Sequence, residues 1–446
     1  MSGLGVIVLA AGMGTRMKSR THKVLHPVCG VPMGQHVIDA ALALKPAKLV
    51  VVIGHQAETV RTAFDAPGVS FVLQSELNGT GDAVLRCREA LAGCDDVMVL
   101  NGDCPLITAE LLRDLAAARG QRPVAFVTCQ VEDPGRLGRV QRDARGEPAA
   151  IVEAADYRGP EGPAEINAGQ YVFDAAWLWE RLPKVPMSAK GEYYLTYLVE
   201  TAAKEASPGT TVGSDATEAL GVDDRVKLAE AERIMRQRIL TRHMLNGVTI
   251  QDPATTYIDA SVTIEQDATV LPNCHILGRS AVGEAAVIGP GTTLSNATIG
   301  AETVVQSSVV EDSQVGARCR IGPFAHIRGG ANLADECELG NYAEVKNSNI
   351  GRGVKMHHFS YMGDADIGAR TNIAAGSITC NFDGKQKHRT TIGADAFIGC
   401  DTMLIAPVTI GDGAFTATGA VVTRDVAPGE TVAGIPARPF QRQAQD

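Results

Sequence analysis

A chain of 446 residues has room for roughly two to four domains, each with its own hydrophobic core. The net charge of −10 argues against a general binding surface for nucleic acid or anionic membranes, so local clusters of positive charge must hold any anionic ligand. No apolar run approaches the ~20 residues that span a bilayer, and the 10 cysteines include no C-x-x-C pair. Because the chain starts without a secretory segment, we expect a cytoplasmic protein with reduced thiols.

The first half of the chain, up to about residue 225, alternates short β-rich runs with helical patterns. This alternation predicts a Rossmann-like α/β domain with a mostly parallel sheet and helices on both faces. Ligands of such sheets bind beyond the carboxyl ends of the strands. The predicted strands are 5–10, 49–54, 70–74, 97–100, 124–129 and 169–173, and two of the predicted helices are 35–44 and 83–91.

A charged segment follows this half. Residues 224–245 contain no proline or glycine and are rich in helix formers, which predicts one long helix. A solvated helix face explains its arginines better than a binding patch does. We therefore expect a first domain over 1–224, a linker helix over 225–245 and a second domain over 246–446.

Aliphatic residues then recur at every sixth position, from Ile258 to Leu294 and again from Ile321 to Val345. The same spacing returns at 367–373 and at 392–410. A hexapeptide repeat is the signature of a parallel β-helix, in which three hexads form one triangular coil around inward-pointing aliphatic side chains. The low aromatic content of 4% fits a narrow interior. The second domain is therefore predicted to be an all-β, left-handed parallel β-helix.

The repeat has one long interruption, Thr379-Cys-Asn-Phe-Asp-Gly-Lys-Gln-Lys-His-Arg-Thr-Thr391. Solenoid proteins place such insertions on one face, which is often the binding face. A tolerated surface loop is the alternative. The cluster of Lys385, Lys387, His388 and Arg389 favours a functional loop.

The loop after the first predicted strand reads Val8-Leu-Ala-Ala-Gly-Met-Gly-Thr-Arg-Met-Lys-Ser19. It fails as a P-loop and as a dinucleotide-binding motif, because Met17 stands where each pattern requires a glycine. A strand, a glycine turn and a helix start nevertheless predict an anion site built from backbone N–H groups. Arg16 and Lys23 add positive charge to it.

The segment Leu9-Ala-Ala-Gly-Met-Gly-Thr-Arg-Met17, followed by Lys23-Val-Leu-His26, resembles the signature of sugar-nucleotide pyrophosphorylases. Its coupling to a hexapeptide β-helix resembles a bacterial family of bifunctional enzymes, which join an N-acetylglucosamine-1-phosphate uridyltransferase to a glucosamine-1-phosphate N-acetyltransferase. The resemblance covers essentially the whole chain. Further motifs in the family's order are Gln74–Gly81, Leu100–Leu106, Leu137–Arg139, Ile151–Glu153, Glu165–Gly169 and Lys190–Tyr194.

For the first domain, the resemblance implies transfer of a uridylyl group from UTP to N-acetylglucosamine 1-phosphate. Arg16 and Lys23 are expected to act on the triphosphate, where positive charge stabilises the developing negative charge. Gly138, Glu153 and Asn167 are expected to line the sugar pocket. The remaining nucleotide-site residues are expected to be Leu9, Ala10, Ala11, Gly12, Gln74, Gly79, Thr80, Asn101, Gly102, Asp103 and Asp223.

The expected metal is Mg²⁺, a hard cation that prefers carboxylate oxygen. Asp103 is its expected ligand because it follows a predicted strand; the alternative is a turn residue before Pro105. The family's second ligand is an Asn in a Gly-Val-Asn pattern, and this chain has Asp223 there. We expect Asp223 to bind the metal as well, with more negative charge beside the triphosphate.

For the β-helix, the resemblance implies acetyl transfer from acetyl-CoA to glucosamine 1-phosphate. His358 is the expected base, since imidazole titrates near neutrality; an inert surface histidine is the alternative. His357 is expected to be structural. The sugar-phosphate site is expected to comprise Arg328, Glu344, Lys346, Tyr361, Asn372 and Lys387, and the acetyl-CoA site Ala375, Asn381, Phe382, Cys400, Thr418 and Arg438.

The resemblance further implies a homotrimer whose acetyl sites are shared between subunits, and a product used for peptidoglycan and lipopolysaccharide precursors. Two alternatives remain open. One is a nucleotidyltransferase whose β-helix only regulates or oligomerises; it would lack the set of His358, Tyr361, Asn372 and Lys387. The other is a non-enzymatic scaffold, which Arg16, Lys23 and Asp103 argue against.

Overall fold

A computed structural model describes residues 3–188 and 190–440 of the chain. It divides into two compact units, with the boundary between Met235 and Arg236. Each unit has its own fold, and the boundary lies inside one long helix, Arg225–Leu245. The predicted single helix over this segment is therefore present.

The first unit is built on one mixed sheet with the strand order β11-β7-β10-β6-β1-β4-β5. Its strands are β1 (Leu4–Ala10), β2 (Pro27–Val28), β3 (Val31–Pro32), β4 (Lys48–Ile53), β5 (Val69–Leu73), β6 (Asp96–Asn101), β7 (Val124–Val131), β8 (Arg139–Arg142), β9 (Pro148–Val152), β10 (Ala164–Asp174) and β11 (Thr210–Gly213). Its α-helices are α1 (Met33–Leu42), α2 (Ala57–Phe64), α3 (Thr80–Leu85), α4 (Ala109–Arg119), α5 (Ala175–Arg181), α6 (Tyr197–Lys204) and α7 (Arg225–Leu245). Short 3-10 helices lie at Thr15–Met17, Lys23–Leu25 and Leu182–Lys184.

Hydrophobic cores cover both faces of this sheet, as the near-continuous apolar strands predict. In β1, Val6 and Val8 pack into one core with α1 and α4. The intervening Ile7 packs into the other core with α5 and α6. Successive side chains of a strand point to opposite faces, so a strand buried on both sides is apolar throughout.

The strands β6, β1, β4 and β5 run parallel, which places their carboxyl ends at one edge of the sheet. This confirms the predicted α/β fold, with two local differences. Strand β10 lies antiparallel between β6 and β7, with a register shift between Asn167 and Tyr171. Helix α3 ends at Leu85, and the remainder of the predicted helix 83–91 forms hydrogen-bonded turns.

The second unit is a β-helix whose short strands form three sheets, confirming the prediction from the hexads. The first sheet contains Thr249–Ile250, Thr269–Val270, Val287–Ile288, Val304–Val305, Arg320–Ile321, Glu338–Leu339, Lys355–Met356, Asn372–Ile373, Phe397–Ile398, Phe415–Thr416, Thr431–Ala433 and, antiparallel, Arg438–Pro439. The second contains Tyr257–Ile258, His275–Leu277, Thr293–Ser295, Val309–Glu311, His326–Arg328, Ala343–Lys346, Ser360–Gly363, Ile378–Cys380, Met403–Ile405 and Val421–Val422. The third contains Thr263–Ile264, Ala281–Val282, Thr298–Ile299, Gln314–Val315, Asn332–Leu333, Asn349–Ile350, Ala365–Ile367, Thr390–Ile392 and Val408–Ile410.

The repeat continues where the hexad pattern fades, between Leu294 and Ile321. The buried inward positions there are Ile299, Val305, Val310 and Val315. Some corners in this stretch are one residue shorter, so the successive spacings are five, six, five, five and six residues, while each strand still pairs with the next coil. A search for a strict period of six therefore misses coils that the fold retains.

The insertion is shorter than the sequence indicates. Thr379 still lies in a strand of the second sheet, and Thr390 opens the next strand of the third sheet. Residues 381–389 form the extra loop, which is closed by a bridge between Phe382 and Lys387. Asp383 accepts hydrogen bonds from the backbone N–H groups of Lys385 and Gln386 and so fixes the turn of this loop.

No helix in residues 3–188 and 190–440 is both long enough and apolar enough to cross a membrane. All 10 cysteines are free thiols, and most of them are buried.

The five-residue spacing predicts that two adjacent valines, Val309 and Val310, contribute differently to the stability of the β-helix. Val310 points into the β-helix and is fully buried, whereas Val309 is 36% exposed. Val310→Ala should lower the free energy of unfolding by about 1.5–3 kcal/mol, since it leaves a cavity. Val309→Ala should change it by less than about 0.5 kcal/mol. Urea unfolding followed by circular dichroism measures both, and equal effects would contradict the inward assignment of Val310.

Candidate active sites

The first candidate site lies at the carboxyl edge of the parallel strands. Strand β1 ends at Ala10, and the chain then turns through a loop that reaches the 3-10 helix Thr15–Met17. Gly14 adopts φ 59°, and a Cβ on it would lie 2.6 Å from the Cβ of Lys23. A glycine is therefore needed here, because the loop passes directly against Lys23.

A buried histidine positions Lys23. His22 precedes the 3-10 helix Lys23–Leu25 and accepts a hydrogen bond from the N–H of Val24 at 3.4 Å. Burial, with the neighbouring His55 as the next cause, lowers the pKa of His22 to about 4. At neutral pH the imidazole is therefore uncharged and can act as the acceptor that caps this helix.

Two carboxylates at this edge each bind a cation. Lys23 forms an ion pair with Asp103, and Arg16 forms one with Asp223. Lys227, on α7, lies 3.1 Å from the second carboxylate. The N–H of Val222 donates to the carbonyl of Asp103 at 2.8 Å, so the two acidic residues lie on segments that are joined by their backbones.

These carboxylates fit a magnesium ion that is shared with phosphate oxygens. Within residues 3–188 and 190–440 no three His, Cys, Asp or Glu side chains assemble into a metal cage. Mg²⁺ in phosphate chemistry needs only one or two protein carboxylates, because the substrate and water supply its other ligands. Asp103 and Asp223 meet that requirement.

The loop 74–81, which carries the predicted nucleotide-site residues Gln74, Gly79 and Thr80, is fastened to the segment 190–195. Tyr193 donates its N–H to the carbonyl of Asn78 and accepts from the N–H of Gly81, both at 2.8 Å. Leu195 donates its N–H to the hydroxyl of Thr80 at 3.1 Å. Gln74 is buried and donates to the carbonyl of Gly79 at 3.1 Å. The loop is thereby held in one conformation.

Of the residues predicted to hold the sugar, Asn167 lies in β10, Gly138 directly precedes β8 and Glu153 directly follows β9. Asn167, in β10, donates its backbone N–H to the carbonyl of Gly138 at 2.9 Å and its side-chain amide to the hydroxyl of Tyr171 at 2.5 Å. Glu153 accepts a hydrogen bond from the hydroxyl of Thr196 at 2.8 Å. Burial, together with the negative charge of Glu153, raises the pKa of Tyr171 well above its usual range.

Three further predicted residues lie where β1 and β6 end. Leu9 and Asn101 are paired in the sheet, and the N–H of Gly102 donates to the carbonyl of Leu9 at 3.0 Å. The Asn101 amide occupies the space that a Cβ on Gly169 would need, 2.1 Å away. Gly169 has φ 84°, so the chain at this point of β10 requires a glycine.

The second candidate site lies on the second sheet of the β-helix. Arg328 and Lys346 are register partners in adjacent coils, and Arg328 donates to Glu344 at 2.6 Å. Lys346 lies beside Lys387 from the insertion, and this like charge lowers the pKa of Lys387. Two neighbouring ammonium groups repel each other, so an anion such as a phosphate monoester stabilises their arrangement.

A row of predicted residues follows the corner between the first and second sheets. His358, Ala375, Cys400 and Thr418 each stand two residues after an inward side chain, in successive coils. Backbone hydrogen bonds join the neighbouring turns, as from Asp401 to Ala375 at 2.8 Å. His358, Asn372, Ala375 and Cys400 line one cavity of about 410 Å³.

The other predicted contacts of acetyl-CoA lie away from this cavity's lining. Asn381 is buried and donates to Asp364 and Tyr361, whereas Phe382 is exposed in the insertion. Arg438 lies on the final, antiparallel strand of the first sheet. His357 forms a contact of 2.7 Å with Glu338 and lines the same cavity as His358, and its structural role stays a prediction.

Sequence reasoning missed several residues that support the sites. Lys227 and Thr196 contact Asp223 and Glu153, and Arg225 donates to the carbonyl of Met17 at 3.3 Å. Arg225 belongs to the arginine-rich helix that was assigned a solvated face. A hydrophobic pattern cannot identify these contacts, because they depend on how α6 and α7 pack against distant loops.

Comparisons with known proteins agree with both folds. Residues 6–190 match the MobA-like NTP transferase domain. In the β-helix, residues 258–351 match the GMPPB C-terminal domain and residues 389–424 match the bacterial transferase hexapeptide (six repeats). These matches define the class: an NTP transferase domain joined to a hexapeptide-repeat transferase domain.

The bifunctional protein GlmU of Streptomyces avermitilis is 46% identical to this chain over 435 residues, covering 95% of the chain and 90% of that protein. The corresponding proteins of Geobacillus sp. (strain WCH70) and Halalkalibacterium halodurans are 45% and 44% identical, each covering more than nine-tenths of both chains. The chain belongs to the bifunctional GlmU family. It is an enzyme with uridyltransferase and acetyltransferase activities in the synthesis of UDP-N-acetylglucosamine.

The packing of the loop 74–81 predicts the effect of a methyl group at Gly79. Its φ is 98°, and an added Cβ would lie 2.6 Å from the carbonyl oxygen of Tyr193. Gly79→Ala should destabilise the first unit by ~1–3 kcal/mol through overpacking, in addition to ~1–3 kcal/mol of backbone strain, because φ 98° with ψ 177° is essentially confined to glycine. It should also weaken UTP binding, because the loop can no longer stay on the segment 190–195.

Gly68→Ala is the matched control, because Gly68 has φ 86° and open space around its Cβ position. That variant should show the backbone strain alone and bind UTP normally. Both tryptophans, Trp177 and Trp179, lie in the first unit, so their fluorescence during urea unfolding reports on it. Calorimetry measures UTP binding, and normal binding by Gly79→Ala would contradict the assigned role of this loop.

Proposed function

We propose that the two activities are consecutive and use the two sites described above. The β-helix acetylates glucosamine 1-phosphate, and the first unit then transfers a uridylyl group from UTP to the acetylated sugar phosphate. The observation that carries this proposal is that each unit has its own cluster of cations. Arg16 and Lys23 lie at the strand edge, and Lys346, on the second sheet, lies beside Lys387 of the insertion. Both steps handle an anionic phosphate and so require positive charge.

In the uridylyl step, a phosphate oxygen of the sugar attacks the α-phosphorus of UTP, and the bond to the β-phosphate breaks to release pyrophosphate. Lys23 and Arg16 bind the triphosphate and stabilise the negative charge that grows on its oxygens. In the free protein these cations are paired with Asp103 and Asp223. Binding of the nucleotide exchanges carboxylate partners for phosphate partners, which keeps every charge compensated.

Asp103 and Asp223 would hold Mg²⁺, which when bound supplies positive charge to the phosphate oxygens. The main chain of Leu9–Gly12 and the loop with Gln74, Gly79 and Thr80 would bind the uracil nucleotide. Asn101 and Gly102 would complete this edge. Gly138, Glu153 and Asn167 would bind the sugar, where hydrogen bonds to hydroxyl groups select it.

In the acetyl step, the amine nitrogen of the sugar attacks the thioester carbonyl while His358 takes a proton from that amine. The thiolate of coenzyme A then leaves. The cavity beside His358 favours this assignment, because it is lined by three more residues of the predicted site. Arg328, Lys346 and Lys387 would bind the phosphate. Tyr361, Asn372 and Glu344 would orient the sugar.

Acetyl-CoA would lie along the corner row after His358, against Ala375, Cys400 and Thr418. The row supports this proposal because it repeats with the coil spacing and gives an extended ligand one continuous edge. Asn381, Phe382 and Arg438 would contact the remainder of the cofactor. Neighbouring subunits of a homotrimer would complete each acetyl site and would cover the exposed Phe382.

We further propose that the enzyme acts in the cytoplasm, where acetyl-CoA and UTP are made, and that its product supplies precursors of peptidoglycan and lipopolysaccharide. The free state of all 10 cysteines supports a reducing compartment. Its partners would be small molecules, without nucleic acid.

Two histidines provide the test of the proposed function. His358→Ala should lower the release of free thiol from acetyl-CoA and glucosamine 1-phosphate by about 10²–10⁴-fold, as expected for loss of a general base. His357→Ala should retain most of that rate, because the imidazole of His357, which also lines the cavity, is already paired with Glu338. Both variants should release pyrophosphate normally from UTP and N-acetylglucosamine 1-phosphate.

Thiol release is followed with a thiol reagent, and pyrophosphate release with a coupled assay. If the unmodified protein released pyrophosphate but no thiol, the acetyl step would be refuted and a single nucleotidyltransferase would remain. If it released neither, the chain would be a scaffold. Equal losses in the two histidine variants would exclude His358 as a specific base.

A second prediction concerns the acidic residue that replaces the family's asparagine. Asp223→Asn should keep uridylyl transfer and shift its dependence on Mg²⁺ to higher concentration, because an amide oxygen binds the cation more weakly than a carboxylate. Asp223→Ala should lose more activity at every concentration. Titration of the pyrophosphate assay with Mg²⁺ compares them, and identical curves for the two variants would refute the ligand role of Asp223.

A further inference from the structure

Asp364 is a buried carboxylate directly behind the two lysines of the acetyl site. It follows the strand Ser360–Gly363, and only 7% of its surface is exposed. Its backbone is left-handed, with φ 52°. Buried carboxylates are uncommon unless they are paired, so the contacts of this one indicate its role.

The carboxylate is held by amides from the coils on both sides. Asn347 donates to Oδ1 at 2.6 Å, and Asn381 donates to Oδ2 at 2.5 Å. The backbone N–H of Asp364 donates to the carbonyl of Lys346 at 3.0 Å, and its carbonyl accepts from the N–H of Thr390 at 3.1 Å. Asp364 therefore joins the coil of Lys346 to both ends of the insertion that carries Lys387.

The charged groups around Asp364 affect one another's pKa values. A hydrogen bond with Lys346, followed by the like charge of Lys346 and by burial, lowers the pKa of Lys387, whereas Asp364 and Tyr361 act to raise it. Burial acts to raise the pKa of Asp364. The hydrogen bonds from its amide partners, followed by the charges of the two lysines, outweigh burial and hold that pKa below its usual range. The carboxylate is therefore ionised when the lysines are protonated.

The two neighbouring carboxylates form ion pairs with arginines. Glu344 accepts both hydrogen bonds from Arg328, and Asp366 pairs with Arg389. Asp366 also accepts from Asn349 at 2.7 Å. Asp364 thus supplies a buried negative charge that interacts with Lys346, Lys387 and also Arg389 of the insertion.

We propose that Asp364 is a positioning residue of the acetyl site, whose buried, hydrogen-bonded carboxylate and backbone fasten the insertion that carries Lys387 to the coil of Lys346, so that the two lysines stay adjacent and bind the phosphate of the acceptor. This inference rests on the proposed function of the β-helix. Asp364 acts through the lysines and through Asn381, and not on the reacting atoms.

The substitution Asp364→Asn tests the charge with little change of shape, and asparagine tolerates a left-handed backbone. Without the carboxylate, the pKa of Lys387 falls further. The KM for glucosamine 1-phosphate, which increases as Lys387 loses its proton, should begin to rise at a lower pH than in the unmodified protein. The kcat at saturating substrate should change much less than KM.

Two control variants separate charge from structure. Asn347→Gly removes a hydrogen bond to Asp364 but keeps its charge, and glycine adopts the φ of 47° at this position freely. Asp395→Asn removes a different ion-paired carboxylate of the same unit, the partner of Arg370. Both should keep the pH dependence of the unmodified protein, even where stability falls.

A binding measurement keeps this inference separate from the proposed function. Calorimetric titration with inorganic phosphate between pH 7 and pH 9.5 should show the same shift in Asp364→Asn. If the unmodified protein releases no thiol but phosphate binding shifts, the acetyl step is wrong and the role of Asp364 stands. If thiol is released and neither KM nor phosphate binding shifts, the role of Asp364 is wrong.

If Asp364→Asn fails to fold, a second substitution distinguishes lysine repulsion from loss of the hydrogen bonds to Asn347 and Asn381. Adding Lys387→Met to that variant removes the repulsion and should restore the folded β-helix, as measured by circular dichroism. If the double variant stays unfolded, Asp364 has a purely structural role and the proposal is overturned.

Discussion

Parallel hydrogen bonding between strands decides where every candidate functional residue of this chain lies. In the first unit it sets β6, β1, β4 and β5 in one direction, so their carboxyl ends share an edge. In the second unit it stacks each coil on the previous one, so residues one coil apart lie above each other. Both sites follow from this one constraint, because side chains distant in sequence become neighbours across a ladder.

In both sites, carboxylates compensate the charge of the cations, but the arrangements differ. At the strand edge, Lys23 and Arg16 are neutralised by Asp103 and Asp223, and a nucleotide with its magnesium ion would replace these partners. On the β-helix, Lys346 and Lys387 share the buried charge of Asp364. A site that must bind an anion needs free cations, and cations need compensation while the site is empty. The placement of the acidic residues is therefore as important as that of the basic ones.

Much of this architecture could be predicted from the sequence. The hexads predicted the β-helix, because a strict inward period requires a strict pattern of aliphatic residues. The corner row of His358, Ala375, Cys400 and Thr418 came from the family resemblance, and the structure gives those positions one common place in each coil. The stretch between Leu294 and Ile321 escaped the pattern, because corners can lose a residue without loss of strand pairing.

By itself, the sequence determined the two fold classes, the long helix α7 and the residue types of both sites, since these depend on local pattern and composition. Tertiary structure alone decided the pairing of Lys23 with Asp103 and the contact of Arg225 with Met17 in the loop after β1. It also decided the buried position of Asp364 near Lys346 and Lys387. These contacts join residues from separate elements. Their energies depend on distance and burial, which only the folded backbone fixes.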